Sequence, residues 1–267
     1  MPWKKQRIRL KTEAEIEKMA TAARLLASVF EGIRQLVEPG AVTAEIDAAI
    51  EKMIRDADCI PAFKGYSGFP AAACISINEE VVHGIPSARR LREGDIVGID
   101  VGLIRDGFHA DSAETLPVGE ISPEAAKLLT VTRESLEMAI AKVKEGNRIS
   151  DIGIAVESHA RAHGFAVVES LVGHGIGRDL HEDPQVPNYR CFTAPDPEME
   201  VGLVIAIEPM INAGTKQVVT AEDQWTVRTV DNSLSAHFEH TVAVTANGPR
   251  VLTRPGESGQ GPSRSGD

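Results

Sequence analysis

No stretch of this chain stays apolar for the roughly 20 residues needed to cross a bilayer. Its first eleven residues, MPWKKQRIRLK, lack the apolar run of a secretory signal. Cysteine is scarce. Cys59, Cys74 and Cys191 form no CxxC pair, which argues against a disulfide framework and a thiolate zinc site and fits a reducing compartment, the cytoplasm. Basic residues are outnumbered, 28 against 39 acidic ones, and a formal net charge of −11 argues against non-specific affinity for nucleic acid or an anionic membrane. Aromatic residues make up only 4% of the chain, yet Phe63, Tyr66 and Phe69 fall close together among Pro61, Gly65, Gly68 and Pro70. Such a cluster is either a plain hydrophobic loop or, as exposed aromatic clusters usually are, a binding surface. What is present, 267 residues with 42% hydrophobic and 25% charged, is enough for one large domain or two small ones.

Apolar periodicity predicts four helices. The first covers 13–37, opened by a Thr12/Glu15 capping box and closed by Pro39-Gly40. The second runs from Thr43 to Asp56, the third from Ser122-Pro123 to near Gly146, and the fourth from Ser150 to His163-Gly164. Strands are expected at 72–77, 96–101, 108–116, 166–171, 203–208 and 237–244. VEPGAVTAEIDAAIE (37–51) aligns without gaps on VKEGNRISDIGIAVE (143–157), which points to two related α+β halves with a site between them. The organisation expected is a basic N-terminal segment (1–11), a catalytic domain (12–253) and a disordered tail (254–267). In the first of these, Lys4, Lys5, Arg7, Arg9 and Lys11 read as a solvated run, with a ribosome contact as the alternative.

The acids carry the sharpest signal. In DIVGIDVGLIRDGFHADSAETLPV two strands flank Arg105-Asp106-Gly107. A register pairing residues that sum to 211 puts Asp100 directly opposite Asp111; a sum of 213 makes them diagonal neighbours on one face; 212 separates them. Like charges so placed are destabilising unless a cation sits between them; the alternative for this pair alone is that one aspartate is a solvated hairpin charge. LVIAIE ends in Glu208, closed by Pro209, and Glu239 in HFEHTVAVT shares a strand face with Thr241. In VGHGIGRDLHEDP, His174 and His181 sit in what reads as a glycine-rich turn that lets backbone approach a ligand. Four carboxylates and one imidazole form a hard donor set, large enough for two divalent ions.

At this point the residues resemble a family. CISINEEVVHGIP, GIDVGLIRDGFHADSAETLPVG, GHGIGRDLHEDPQVPNY, IEPM and WTVRTVDNSLSAHFEHTVAVT are similar to segments of the type I methionine aminopeptidases. The resemblance implies the pita-bread fold, two pseudo-symmetric halves with a central antiparallel sheet and flanking helices. It implies a ligand set of Asp100, Asp111, His174, Glu208 and Glu239 for two divalent ions, with Co, Mn, Fe(II) and Zn all compatible. It further implies hydrolysis by metal-activated hydroxide, with Glu208 as proton shuttle, His181 at the developing oxyanion and His83 at the scissile nitrogen. Tyr66, Phe69, Cys74 and Trp225 would line the methionine pocket. The implied task is removal of the initiator methionine from nascent chains with a small second residue, by a monomer that binds neither membrane nor specific nucleic acid. The rival readings are an Xaa-Pro peptidase and a non-catalytic peptide-binding module of the same fold. Gly98, Phe69, Leu180 and Arg190-Cys191 depart from the usual family pattern.

Overall fold

The computed structural model describes residues 8–254. Four helices carry the apolar faces that the periodicity predicts. Helix α1 spans Glu13–Ile33, where the Thr12 hydroxyl accepts from the Glu15 amide and the Glu15 carboxylate accepts from the Thr12 amide. Helix α2 spans Thr43–Asp56, α3 Pro123–Ile140 and α4 Ile149–Ala162. α1 and α3 stop several residues before the expected ends. After α1 the Leu36 amide reaches back to the Ile33 carbonyl, and after α3 the Val143 amide reaches Ile140, so both helices unwind through tighter turns. No helix of the described residues is long and apolar enough to cross a membrane.

The repeat seen in the sequence is structural. α2 and α4 are both 14 residues long and are offset by 106 positions. Ahead of them Gly40 and Gly146 both take positive φ, 92° and 84°. Their amides donate to equivalent partners, Gly40 to Leu91 and Gly146 to Met199. Past the helices, Cys59 and Phe165 make the same five-residue return bond, to Ile54 and Ala160, and each opens a two-residue strand, Ile60–Pro61 and Ala166–Val167.

Between the halves lies an antiparallel sheet of nine strands. Its main path runs Ile60–Pro61, Ile96–Arg105, Phe108–Pro117, Glu239–Thr245, Val204–Ile207, Gly173–Gly175 and Glu182–Val186. Ala73–Ile77 also pairs with Ile96–Arg105, and Gly248–Val251 with Glu239–Thr245. One face is apolar. Val97, Ile99, Val101 and Leu103 join one cluster with Met19, Leu26 and Ile50, while Ile205, Ile207, Val242 and Val244 join another with Leu128, Ile152 and Val156. Each half thus packs its own two helices against its share of the sheet, and the opposite face is left for chemistry.

Two local expectations need correction. Gly173–Gly175 is a strand and not a turn. A Cβ at Gly173 would lie 2.4 Å from the Ala206 carbonyl oxygen and one at Gly175 2.3 Å from that of Asp183, so these glycines admit neighbouring protein backbone and not a ligand. Lys11 does not belong to a solvated segment. Its ammonium is buried and donates to Glu182 at 2.7 Å and to the Arg9 carbonyl at 2.9 Å, while its amide donates to Gly202. Glu182 also accepts from the amides of Arg178 and Asp179, so Lys11 anchors the loop that carries His181. Arg9 pairs with Asp179 at the surface. Of the expected tail only Arg254 is described, bonded to Glu137, and Lys4, Lys5 and Arg7 lie outside the described residues.

Candidate active site

Five consecutive strands of the sheet each bring one candidate ligand to the same face. The hairpin turn Asp106-Gly107 has φ of 52° and 76°, a geometry in which both central residues are left-handed. It fixes a register in which Asp100 faces Ala113 and Asp111 faces Gly102, a sum of 213, so the two aspartates are diagonal neighbours. On the other side Cys74 faces Asp100. The next strand sets Glu239 opposite Ala113, two residues from Asp111 and therefore on its face. Thr241 continues that face: its hydroxyl donates to the Asp111 carbonyl at 2.8 Å and accepts from the Asp111 amide at 3.2 Å. Ala206 pairs with both Thr241 and His174, and Glu208 follows it two residues later, just past the strand end and ahead of Pro209.

Bringing these acids together in a dry interior has a large electrostatic cost. Burial pushes all four carboxyls up: Asp111 to about 7, and Asp100, Glu208 and Glu239 well above their usual range, with the Asp111 charge raising all three further and Glu208 adding to the rise at Asp100 and Glu239. Burial also holds His174 down, to about 3. Asp100 Oδ1, Asp111 Oδ1 and Glu239 Oε1 are buried with no hydrogen-bond partner. One donor atom each of Asp111, His174 and Glu239 lie within 4.8 Å of one another. His174 Nδ1 lies 2.9 Å from the Gly175 carbonyl, to which it donates, leaving the Nε2 lone pair 3.5 Å from Glu208. Orphaned acceptors converging on an imidazole lone pair fit a divalent cation.

A pH dependence follows. Asp111 holds its proton more tightly folded than unfolded, so its contribution to the metal-free fold is present below the ordinary carboxylate range and lost as pH rises through about 7. A divalent ion must displace such protons. Loading the metal-free chain at mildly acidic pH is expected to release protons, with affinity rising as pH increases through about 7. Calorimetry in two buffers of different ionisation enthalpy reads the release; identical heats in both would refute it.

Around this cluster opens a cavity of about 200 Å³. Its polar floor is Asp100, Asp111, His174, Glu208 and Glu239; its walls are Phe63, Tyr66, Ser67, Phe69, Cys74, Leu180 and Trp225; His83 and His181 complete it. The structure therefore brings together in one cavity every residue expected as ligand, catalytic group or pocket wall. Phe69 meets Trp225 edge to face at 5.2 Å, closing one wall. His83 follows the Glu80–Val82 strand with φ of 59°, unusual for a residue with a side chain. The next residue must be Gly84, since a Cβ there would lie 2.2 Å from the Ile75 carbonyl oxygen. The His181 ring lies tilted against that of His174, centroids 4.3 Å apart, and burial brings its pKa down to about 4.

One residue had no sequence-based assignment. His237 is buried, its Nε2 has no hydrogen-bond partner and lies 3.9 Å from Glu208, and burial lowers its pKa to about 3. It stands two positions before Glu239, and that spacing in HFEHT was the available signal.

The model of metallopeptidase family M24 matches residues 17–246. The chain is 47% identical to methionine aminopeptidase 1 of Bacillus subtilis (strain 168), covering 91% of this chain and 98% of that protein. A crystal structure of methionine aminopeptidase from Thermotoga maritima superposes with a TM-score of 0.90 at 42% identity, covering 93% of this chain and all of that one. Prolidase from Pyrococcus furiosus aligns with a TM-score of 0.72 at 21% identity, over 92% of this chain and 65% of that one, a likeness of fold alone. The chain belongs to metallopeptidase family M24 and has its pita-bread fold. Within the family its similarity is to the methionine aminopeptidases, and it is a metal-dependent aminopeptidase.

Proposed function

We propose that the chain removes the N-terminal methionine from nascent polypeptides whose second residue is small, using two divalent ions held by Asp100, Asp111, His174, Glu208 and Glu239. The observation that carries this reading is the join of an aromatic-walled cavity to a floor of orphaned acids. When bound, the ions supply Lewis acidity and lower the pKa of an attacking water toward neutrality. Mn, Co, Fe(II) and Zn all tolerate this donor set.

The remaining work falls to side chains. Phe63, Phe69, Leu180 and Trp225 enclose an unbranched apolar side chain, and the Cys74 thiol, whose pKa burial pushes well up, meets it as a neutral group. Glu208 takes the proton from the attacking water and returns it to the leaving amide nitrogen. His181 donates a hydrogen bond to the carbonyl oxygen as negative charge develops there. His83, which also lines the cavity, contacts the scissile nitrogen in this reading.

Because His83 and the acids crowd the far side of the scissile bond, residue two is gated by size. Met-Ala, Met-Gly, Met-Ser and Met-Pro peptides are expected to be cleaved, and Met-Lys, Met-Leu and Met-Phe to resist. A second-position peptide panel measures this. Efficient release from Met-Phe, or release of N-terminal lysine in place of methionine, would make it a broad aminopeptidase and overturn the assignment.

A further inference from the structure

Tyr66 is half in and half out of the cavity: its ring lines the wall, yet 41% of the residue is exposed. Its hydroxyl lies 2.7 Å from His181 Nδ1, with ring centroids 5.3 Å apart. The two residues come from loops of opposite halves, 115 positions apart. We propose that Tyr66 is a positioning residue that fixes the tautomer of His181, so that Nε2 carries the proton and presents it to the cavity. The proposal rests on the role given to His181 above.

The direction of the bond decides the matter. A neutral imidazole has one N–H, and the nitrogen that accepts a bond forces the proton onto the other. A phenol is a better donor than acceptor, and burial together with the Asp179 carboxylate pushes the Tyr66 hydroxyl further up, so it keeps its proton. Were the bond reversed, with Nδ1–H donating to the phenol oxygen, the phenol proton would need another acceptor. Only solvent could supply one, and the imidazole nitrogen already 2.7 Å from the hydroxyl is a stronger acceptor than water. With Tyr66 donating, Nε2–H is the group left to the cavity, and it is the group an oxyanion needs.

The loop is built to hold the hydroxyl there. Gly65, Ser67 and Gly68 take φ of 86°, 49° and 92°. The Tyr66 amide donates to Phe63, its carbonyl accepts from Phe69, and the Gly65 amide donates back to Phe69. Ser67 holds a left-handed backbone despite its side chain, which an unconstrained loop would avoid.

The test is Tyr66→Phe, which keeps the ring and removes only the hydroxyl. With Met-Ala peptides kcat is expected to fall about tenfold, with KM within twofold, and the deficit should vanish in a His181→Ala background, where nothing remains to be oriented. A readout independent of turnover is ¹⁵N NMR of histidine-labelled chain, zinc-loaded and metal-free. The wild type should show His181 protonated on Nε2, and Tyr66→Phe a mixture of tautomers. An unchanged tautomer in Tyr66→Phe, or an equal kcat loss in the His181→Ala background, would overturn the proposal. Should His181→Ala alone leave kcat intact, the oxyanion role falls, and the NMR comparison still decides whether Tyr66 sets the tautomer.

Discussion

Exhaustive chelation is expected to leave the chain without measurable peptide cleavage, and addition of Mn, Co or Fe(II) to restore it. The expectation comes from the electrostatics of the sheet face. Asp100, Asp111, Glu208 and Glu239 crowd together, the first two and Glu239 with orphaned oxygens, and in a dry interior all four keep protons they would otherwise lose. Without the ions the site loses the Lewis acidity that brings the pKa of an attacking water down toward neutrality. Substitution should resolve the ligands individually. Glu239→Ala removes the acid between the hairpin strands and Val204–Ile207, so elemental analysis should show fewer than two ions per chain together with loss of rate. Undiminished turnover after chelation, or full metal content in Glu239→Ala, would rule out the proposed centre.

His83→Ala and His181→Ala should behave differently, keeping their metal while losing about 10²–10⁴-fold in kcat, the scale for a positioned catalytic donor. The geometry separates them from the ligands. His174 has an Nε2 lone pair facing Glu208 and stands in the tight cluster with Asp111 and Glu239. His181 instead spends Nδ1 on Tyr66, and His83 enters from a different sheet, after the Glu80–Val82 strand. Metal analysis beside kinetics makes the distinction. If either variant loses its ions, that histidine is a ligand and the division of roles is wrong.

Much of this was legible because it is local. The Thr12/Glu15 cap, the bounds of α2 and the Asp106-Gly107 turn are written in neighbouring residues. The repeat of 37–51 at 143–157 was readable for the same reason, since each copy builds one turn, one cap and one helix. The register of the hairpin was narrowed to alternatives and needed coordinates to choose between them. What escaped depends on distant partners. Lys11 looked like one more surface cation because Glu182 is 171 positions away. Gly173 and Gly175 looked like a turn because the carbonyls that exclude a Cβ belong to Ala206 and Asp183, the first of them on a strand more than 30 positions away. His237 looked ordinary because its proximity to Glu208 arises only when separate strands meet.

The strand order carries a consequence for how this enzyme comes into being. Glu239–Thr245 is late in the chain yet lies mid-sheet, between Phe108–Pro117 from the first half and Val204–Ile207 from the second. Until it is inserted, each half presents an open edge of unpaired amides and carbonyls, the condition that invites pairing with a foreign strand. Insertion closes both edges in one event and delivers Glu239 to the acidic face with it. During synthesis the hairpin bearing Asp100 and Asp111 can form long before that, but the enzyme acquires activity only when its keystone strand has emerged and slotted home.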